Sequence, residues 1–338
     1  MKLENVRLSD LDPARDIDVW PAAPHIDWPA ESTGSSRPSP RWGMTRRPLL
    51  SATVAGAIVL GAGVVATQLV GPTDSALAAT PAPLHMQYDQ KAPSAHGALL
   101  DLASVVSGRA VADEQRAGRF SFVQVGQWSL NLSSSRRDGT SVAVVPQVVS
   151  TWRAADGSGK VITVSLDPSE VGAQPTARTL VAAAEHKSGE IDVYSAGQLA
   201  SVVTEPVPHD VNALAAALYA HQPRENGPQS AVRAVADLYR TTTVDRQVRI
   251  AVLQFLASTD GVLLRGQVTD RLGRQGMAVS VDSSNGSTRD LLVFDQDSGW
   301  LLAYESIFLK RPSRLPVKVP AVFSYVLFLE QERRPDMS

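Results

Sequence analysis

The chain has 338 residues, a formal net charge of −2 and no cysteine. Near-neutral charge gives no electrostatic reason to expect nucleic acid as a partner. The lack of cysteine excludes disulfides and thiolate chemistry, so any folded part must rely on an ordinary apolar core.

Residues 1–31 hold seven acids against three bases, interspersed with Leu3, Val6, Leu8, Leu11, Ile17, Val19, Trp20, Ile26 and Trp28. Prolines recur through residues 1–47, which read as a largely disordered acidic and Pro-rich tail. An acidic segment with apolar anchors suits docking on a basic partner and folding as it binds. Trp20 and Trp28 are the candidate anchors, because indoles often dominate small interfaces. A solvated tail without a partner is the alternative.

Residues 48–73 carry no charged side chain, and 49–70 read LLSATVAGAIVLGAGVVATQLV. About 20 apolar residues rising roughly 1.5 Å each cover the hydrocarbon core, which predicts a transmembrane helix over 48–71. Arg37, Arg41, Arg46 and Arg47 crowd its N-terminal side, whereas residues 71–90 carry Asp74 and Asp89 and no Lys or Arg. The positive-inside rule therefore puts 1–47 in the cytoplasm and the C-terminal body outside. Ala76-Leu77-Ala78 and the Arg46-Arg47 pair suit a cleaved export signal, with cleavage after Ala78. The apolar run is longer than a signal core, which favours retention as a single-pass signal anchor. Ala52 and Gly56, like Ala57 and Gly61, are four apart and suit a helix-mediated homodimer.

Residues 72–93 read as a linker, 94–331 as the outer domain and 332–338 as a C-terminal tail. A helix is predicted over about Ser94–Gln115 with Ser94 as its cap. Arg119–Leu132 alternates as a strand that sets Phe120, Phe122, Trp128, Leu130 and Leu132 on one face. A polar turn leads to a single second strand that reaches Arg153, and Asp156-Gly157 turns it into Lys160–Leu166. Helices follow over Val211–His221, with Asp210 as N-cap, then Gln229–Thr242 and Val244–Ser258. Five strands close the chain: Val262–Thr269, Met277–Asp282, Arg289–Phe294, Trp300–Phe308 and Val322–Glu330, joined by Asn-Gly and Asp-x-x-Gly type turns. The order predicts an α+β fold, a curved antiparallel sheet with helices on one side.

Chemical motifs are sparse. Gly157-Ser158-Gly159-Lys160 resembles the end of a phosphate loop, but Ala154 and Val161 stand where the motif needs Gly and Ser or Thr, so a hairpin turn is expected. Gly61–Ala66 matches a dinucleotide fingerprint only on paper, inside the apolar span. Asp295, Asp297 and Ser298 fall short of a calcium loop, and the six histidines lack metal spacing. No cofactor, metal or catalytic set is expected, and an enzyme is disfavoured. Thr269–Gly276 reads as a turn with solvated arginines; the alternative is a ligand or partner contact, because Arg271, Arg274 and the nearby Arg265 can lie close together.

Three strings recur in order in one family: Trp152–Gly159, Pro208–Asp210 and Gly266–Val279, followed by Phe294-Asp295 and Ser298-Gly299. The chain resembles a group of actinobacterial single-pass membrane proteins of unassigned function, commonly encoded beside extracytoplasmic-function sigma factors. The resemblance implies a membrane-anchored sensory or regulatory protein with a sigma factor as cytoplasmic partner of residues 1–31. It implies no catalytic residues. The alternative is an envelope binding module, a half-barrel whose pocket for an apolar ligand or lipid is lined by Phe120, Phe122, Trp128 and Trp300.

Overall fold

Two antiparallel meanders meet at the middle of a ten-stranded sheet, and the first strand of one pairs with the last strand of the other. The computed structural model describes residues 80–88, 91–109, 118–135, 139–144, 146–167, 177–313, 315 and 317–337. The tail with Trp20 and Trp28, the run 48–71 expected to span a bilayer, and the cleavage site after Ala78 lie outside these residues. Among the described residues no helix is long and apolar enough to cross a membrane.

The elements are α1 (His96–Gly108), β1 (Phe120–Ser135), β2 (Gly139–Val144), β3 (Gln147–Ala154), β4 (Gly159–Ser165), α2 (Ala177–Glu185) and β5 (Glu190–Tyr194). Then come α3 (Val211–His221), a 3-10 turn at Arg224–Asn226, α4 (Gln229–Thr241), α5 (Arg246–Ala257), β6 (Leu263–Thr269), β7 (Gln275–Asp282), β8 (Thr288–Phe294), β9 (Leu301–Phe308) and β10 (Ala321–Arg334). The strand order is β5-β4-β3-β1-β10-β9-β8-β7-β6, with β2 attached to β1. The architecture is α+β, a large antiparallel sheet packed by helices.

Helices α3, α4 and α5 carry the chain from the β5 edge to the β6 edge. With α1 they cover one sheet face. Leu99, Val106, Leu214, Leu218, Val235, Val252 and Phe255 meet Val123, Val125, Val279, Leu292 and Val326 of the sheet there. The i, i+3, i+7 spacing in α4 and α5 is what places these residues on one stripe. Asp210 caps α3 as expected, its Oδ1 accepting from the Ala213 amide at 2.9 Å. Asp245 caps α5 in the same way through the Val248 amide at 2.9 Å, so that helix starts at Arg246 rather than Val244. Ser94 is not the cap of α1. Ala95 holds that position, and Ser94 Oγ accepts from the His96 amide at 3.2 Å.

Other departures have physical causes. Pro146 has no amide proton to donate to a ladder, and the expected second strand is two, β2 and β3. Helix α2 and strand β5 had no predicted counterpart, and β10 continues to Arg334. The helices are not all on one side: α2 packs on the face opposite the other four through Leu180, Ala183 and Ala184. Bulges at Gln124/Val125, Leu264/Gly266, Val293/Phe294 and Val322/Ser324 add local twist.

Candidate functional site

The face opposite the four-helix layer is apolar over most of the sheet. Trp128, Val148, Val164, Val268, Ala278, Leu291, Val293, Ala303, Ile307, Val322, Tyr325 and Leu327 are all buried on it. Among the described residues its cover is thin. Helix α2 contributes Leu180, an extended strap at 80–88 contributes Leu84 and Met86, and the segment after β9 contributes Leu309. Leu315 and Val317 form a small neighbouring cluster with Leu130 and Phe308. Helix α2 can approach because β1 has Gly126 beneath it: a Cβ there would sit 2.9 Å from Leu180 Cδ1.

At the centre of this face Trp128 and Tyr325 stack with ring centroids 5.7 Å apart and planes 2° from parallel. The Arg271 guanidinium lies 5.0 Å from the Tyr325 ring centre and pairs with Glu305, Nε to Oε1 at 2.7 Å. Arg271 Nη2 also donates to the Ala82 carbonyl at 2.9 Å, which ties the strap to the sheet. Burial pushes the Glu305 carboxyl up from its ordinary value, and the Arg271 charge opposes that. Burial likewise pushes the Tyr325 phenol up to about 12.

The strap is held at its other end by β6. The Tyr88 amide donates to the Arg265 carbonyl and Arg265 Nη1 donates back to the Tyr88 carbonyl, both at 3.1 Å. Thus part of the expected linker 72–93 lies docked on the domain. Against expectation, Arg271 of the 269–276 string is buried and Arg274 half-buried, and the nearby Arg265 is buried too. Arg265 bonds Ser280 Oγ at 2.7 Å, Arg271 takes Glu305, and Arg274 holds Asp270 and the carbonyls of Phe328 and Leu302. Charged side chains excluded from water need such partners.

The four expected lining residues do not converge. Phe120, Phe122 and Trp128 share a sheet face, as their alternation implied. Phe120 and Phe122 pack with Trp152 in their own cluster, where Arg334 lies 3.4 Å over the Phe122 ring and Lys160 lies 4.3 Å over Trp152. Trp128 belongs to the larger cluster under α2. Trp300 is on the helical side, 4.2 Å beneath the Arg249 guanidinium.

A second polar network lies under the helical layer. Asp290 accepts from Arg233 Nε at 2.9 Å, Tyr304 at 2.9 Å and Ser306 at 2.8 Å. Every member has a partner, which suits a structural tie between α4 and the sheet. The Asp295–Gly299 segment is a turn: Asp295 Oδ1 accepts from the amides of Asp297 and Ser298 at 3.1 and 2.7 Å. Gly157–Gly159 is a hairpin turn, with the Ala154 amide donating to the Ser158 carbonyl at 2.8 Å. Among the described residues no group of three or more acids and histidines could hold a metal ion.

No family model matches the chain, and no curated protein matches it. Among solved structures, a domain described as belonging to an outer membrane lipoprotein-sorting protein of Vibrio parahaemolyticus aligns over 72% of this chain and 95% of that one. The two are 8% identical with a TM-score of 0.23, too low for the likeness to bear on function.

Proposed function

We propose that the chain is a membrane-anchored envelope binding protein, whose outer domain takes an apolar ligand such as a lipid acyl chain. The receptive face carries Trp128, Leu291, Val293, Tyr325 and Leu327, all buried in this structure, so the ligand would take the place of helix α2 or the strap on them. The observation that supports it is the asymmetry of cover. Four helices pack one face, while among the described residues one nine-residue helix and extended segments cover an equally apolar opposite face. Apolar walls with a few fixed polar groups, here Arg271 and Glu305, are the usual chemistry of ligand cavities.

The anchor over 48–71 and the cytoplasmic placement of 1–47 rest on the sequence. So does the regulatory half of the reading, in which residues 1–31 touch a cytoplasmic partner, a sigma factor, through Trp20 and Trp28. Small residues at Ala52, Gly56, Ala57 and Gly61 favour pairing of two anchors in the bilayer. The reading assigns no catalytic step and no cofactor.

The test is photo-crosslinking of the full chain in membrane vesicles with a diazirine-bearing fatty acid, followed by peptide mapping. Adducts on peptides carrying Leu291–Val293 and Tyr325–Leu327 are expected. Adducts confined to residues 49–70 would overturn the reading.

A further inference from the structure

The two edges of the sheet are treated differently. The β6 edge is covered at Tyr88 and by residues 93–95: the Tyr88 amide donates to the Arg265 carbonyl, the Leu264 amide to the Pro93 carbonyl and the Ala95 amide to the Val262 carbonyl. At the other edge, β5 pairs with β4 on its inner side, and no other described residue pairs with its outer side. An uncovered edge presents alternate backbone N–H and C=O groups to any extended chain.

The side chains of β5 are also unusual. Ile191 and Val193 are 60% and 73% exposed, the highest of the large exposed hydrophobics among the described residues. Both stand on the face where Ile162, opposite Ile191, continues the buried apolar clusters. The apolar surface therefore runs out to the edge and ends in water. Val193 stands opposite Lys160, whose Nζ is bound to the Met337 carbonyl and lies over the Trp152 ring. The other face of β5 carries Glu190 and Asp192. Burial, and then the negative charges of Asp192 and Glu190, push the Tyr194 phenol up.

We propose that β5 is a docking edge for an extended segment of a partner protein, added as an eleventh strand, with aliphatic and basic side chains in alternation. Its aliphatic residues would extend the Ile191–Val193 row, and its basic residues would stand beside Glu190 and Asp192. Cross-strand pairs of both kinds stabilise an antiparallel ladder, and backbone bonds supply the rest of the affinity. A second copy fits poorly. The antiparallel register that matches Ile191 with Val193 of a copy sets Asp192 against its own counterpart, and like charges directly opposite destabilise pairing.

The test uses the full chain in neutral-lipid nanodiscs and a short fluorescent peptide of alternating lysine and valine, read by anisotropy. Saturable binding is expected. Loss of the two charged pairs corresponds to about tenfold in affinity, so a glutamate–valine peptide binds at least that much more weakly. Methylating alternate backbone nitrogens weakens the lysine peptide by at least as much. The double variant Glu190→Lys, Asp192→Lys reverses the preference between the two peptides. These positions lie at the surface, so the fold is kept, as circular dichroism will show. Equal binding of both peptides, or indifference to backbone methylation, overturns the proposal. A further arm mixes two single variants, Ile191→Cys and Val193→Cys, whose thiols the self-pairing register sets opposite each other, each the sole thiol in a chain without cysteine. Ready disulfide formation between copies under mild oxidation would assign the edge to self-pairing and likewise overturn it.

Discussion

Arg271 and Glu305 meet in a two-pronged ion pair, Nε–Oε1 at 2.7 Å and Nη2–Oε2 at 3.0 Å, with the carboxylate wholly buried. Removing one partner strands a charge away from water. Arg271→Met or Glu305→Leu alone is therefore expected to cost about 3–5 kcal/mol. The double variant, which removes both charges of the pair and strands neither, is expected to cost less than either single one. Denaturant unfolding of the three variants checks this, and strictly additive losses would contradict it.

Helix α2 rests on β1 through Leu180, which fills the space a side chain at Gly126 would need. Leu180 is the buried aliphatic anchor of this helix among the described residues, and Leu180→Ala should weaken its docking by about 2–5 kcal/mol. Gly126→Val should displace the helix directly. In both, hydrogen exchange in 177–185 is expected to accelerate while α3, α4 and α5 keep their protection. Uniform acceleration through the domain would show that α2 is not a separable cover.

Asp156 in the β3–β4 hairpin accepts from Ser158 Oγ at 2.6 Å and from the Ser158 amide at 2.9 Å. These bonds hold its carboxyl below the usual value. A lowered folded-state value means the contribution is present above the ordinary carboxylate range and fades as pH falls through the lowered one. Ser158→Ala removes the larger bond, so the Asp156 titration is expected to move up toward the ordinary range. A carboxyl-carbon NMR titration of wild type and variant reads this directly.

The anchor reading makes a topological prediction. Protease added to intact cells should digest the domain that starts near residue 94 and spare an epitope at the N-terminus. Trp20→Ala with Trp28→Ala should reduce recovery of any cytoplasmic partner by at least about tenfold, as for interface anchors. Sparing of the domain with loss of the epitope would reverse the orientation.

Much of the fold is legible in the sequence, for definite reasons. Helices α3, α4 and α5 follow from apolar spacing and from Asp210, and the last five strands follow from alternation between glycine turns. Helix α2 was illegible because Leu180 stands nearly alone among its buried anchors, so no stripe declares it. Strand β5 is five residues long, and its Ile191 and Val193 are exposed, so no core signal marks it. The strap at 80–88 is held largely by backbone groups and by arginine, neither of which has a period. The shared face of Phe120, Phe122 and Trp128 was readable from alternation alone. Their separation into clusters, and the placement of Trp300 on the opposite side, depended on tertiary neighbours. The burial of Arg265 and Arg271 was hidden too, because their acceptors lie elsewhere in the chain.

Phe120 faces Arg334 across the central ladder, so the sheet is joined by residues from the two ends of the domain. A polypeptide delivered from its N-terminus presents β1 long before its partner exists, and distant pairings of this kind form slowly. The two half-sheets must therefore wait, one strand short, until β10 has been made. A stop codon anywhere ahead of Ala321 would leave them permanently unjoined, so the stretch that encodes β10 cannot be spared.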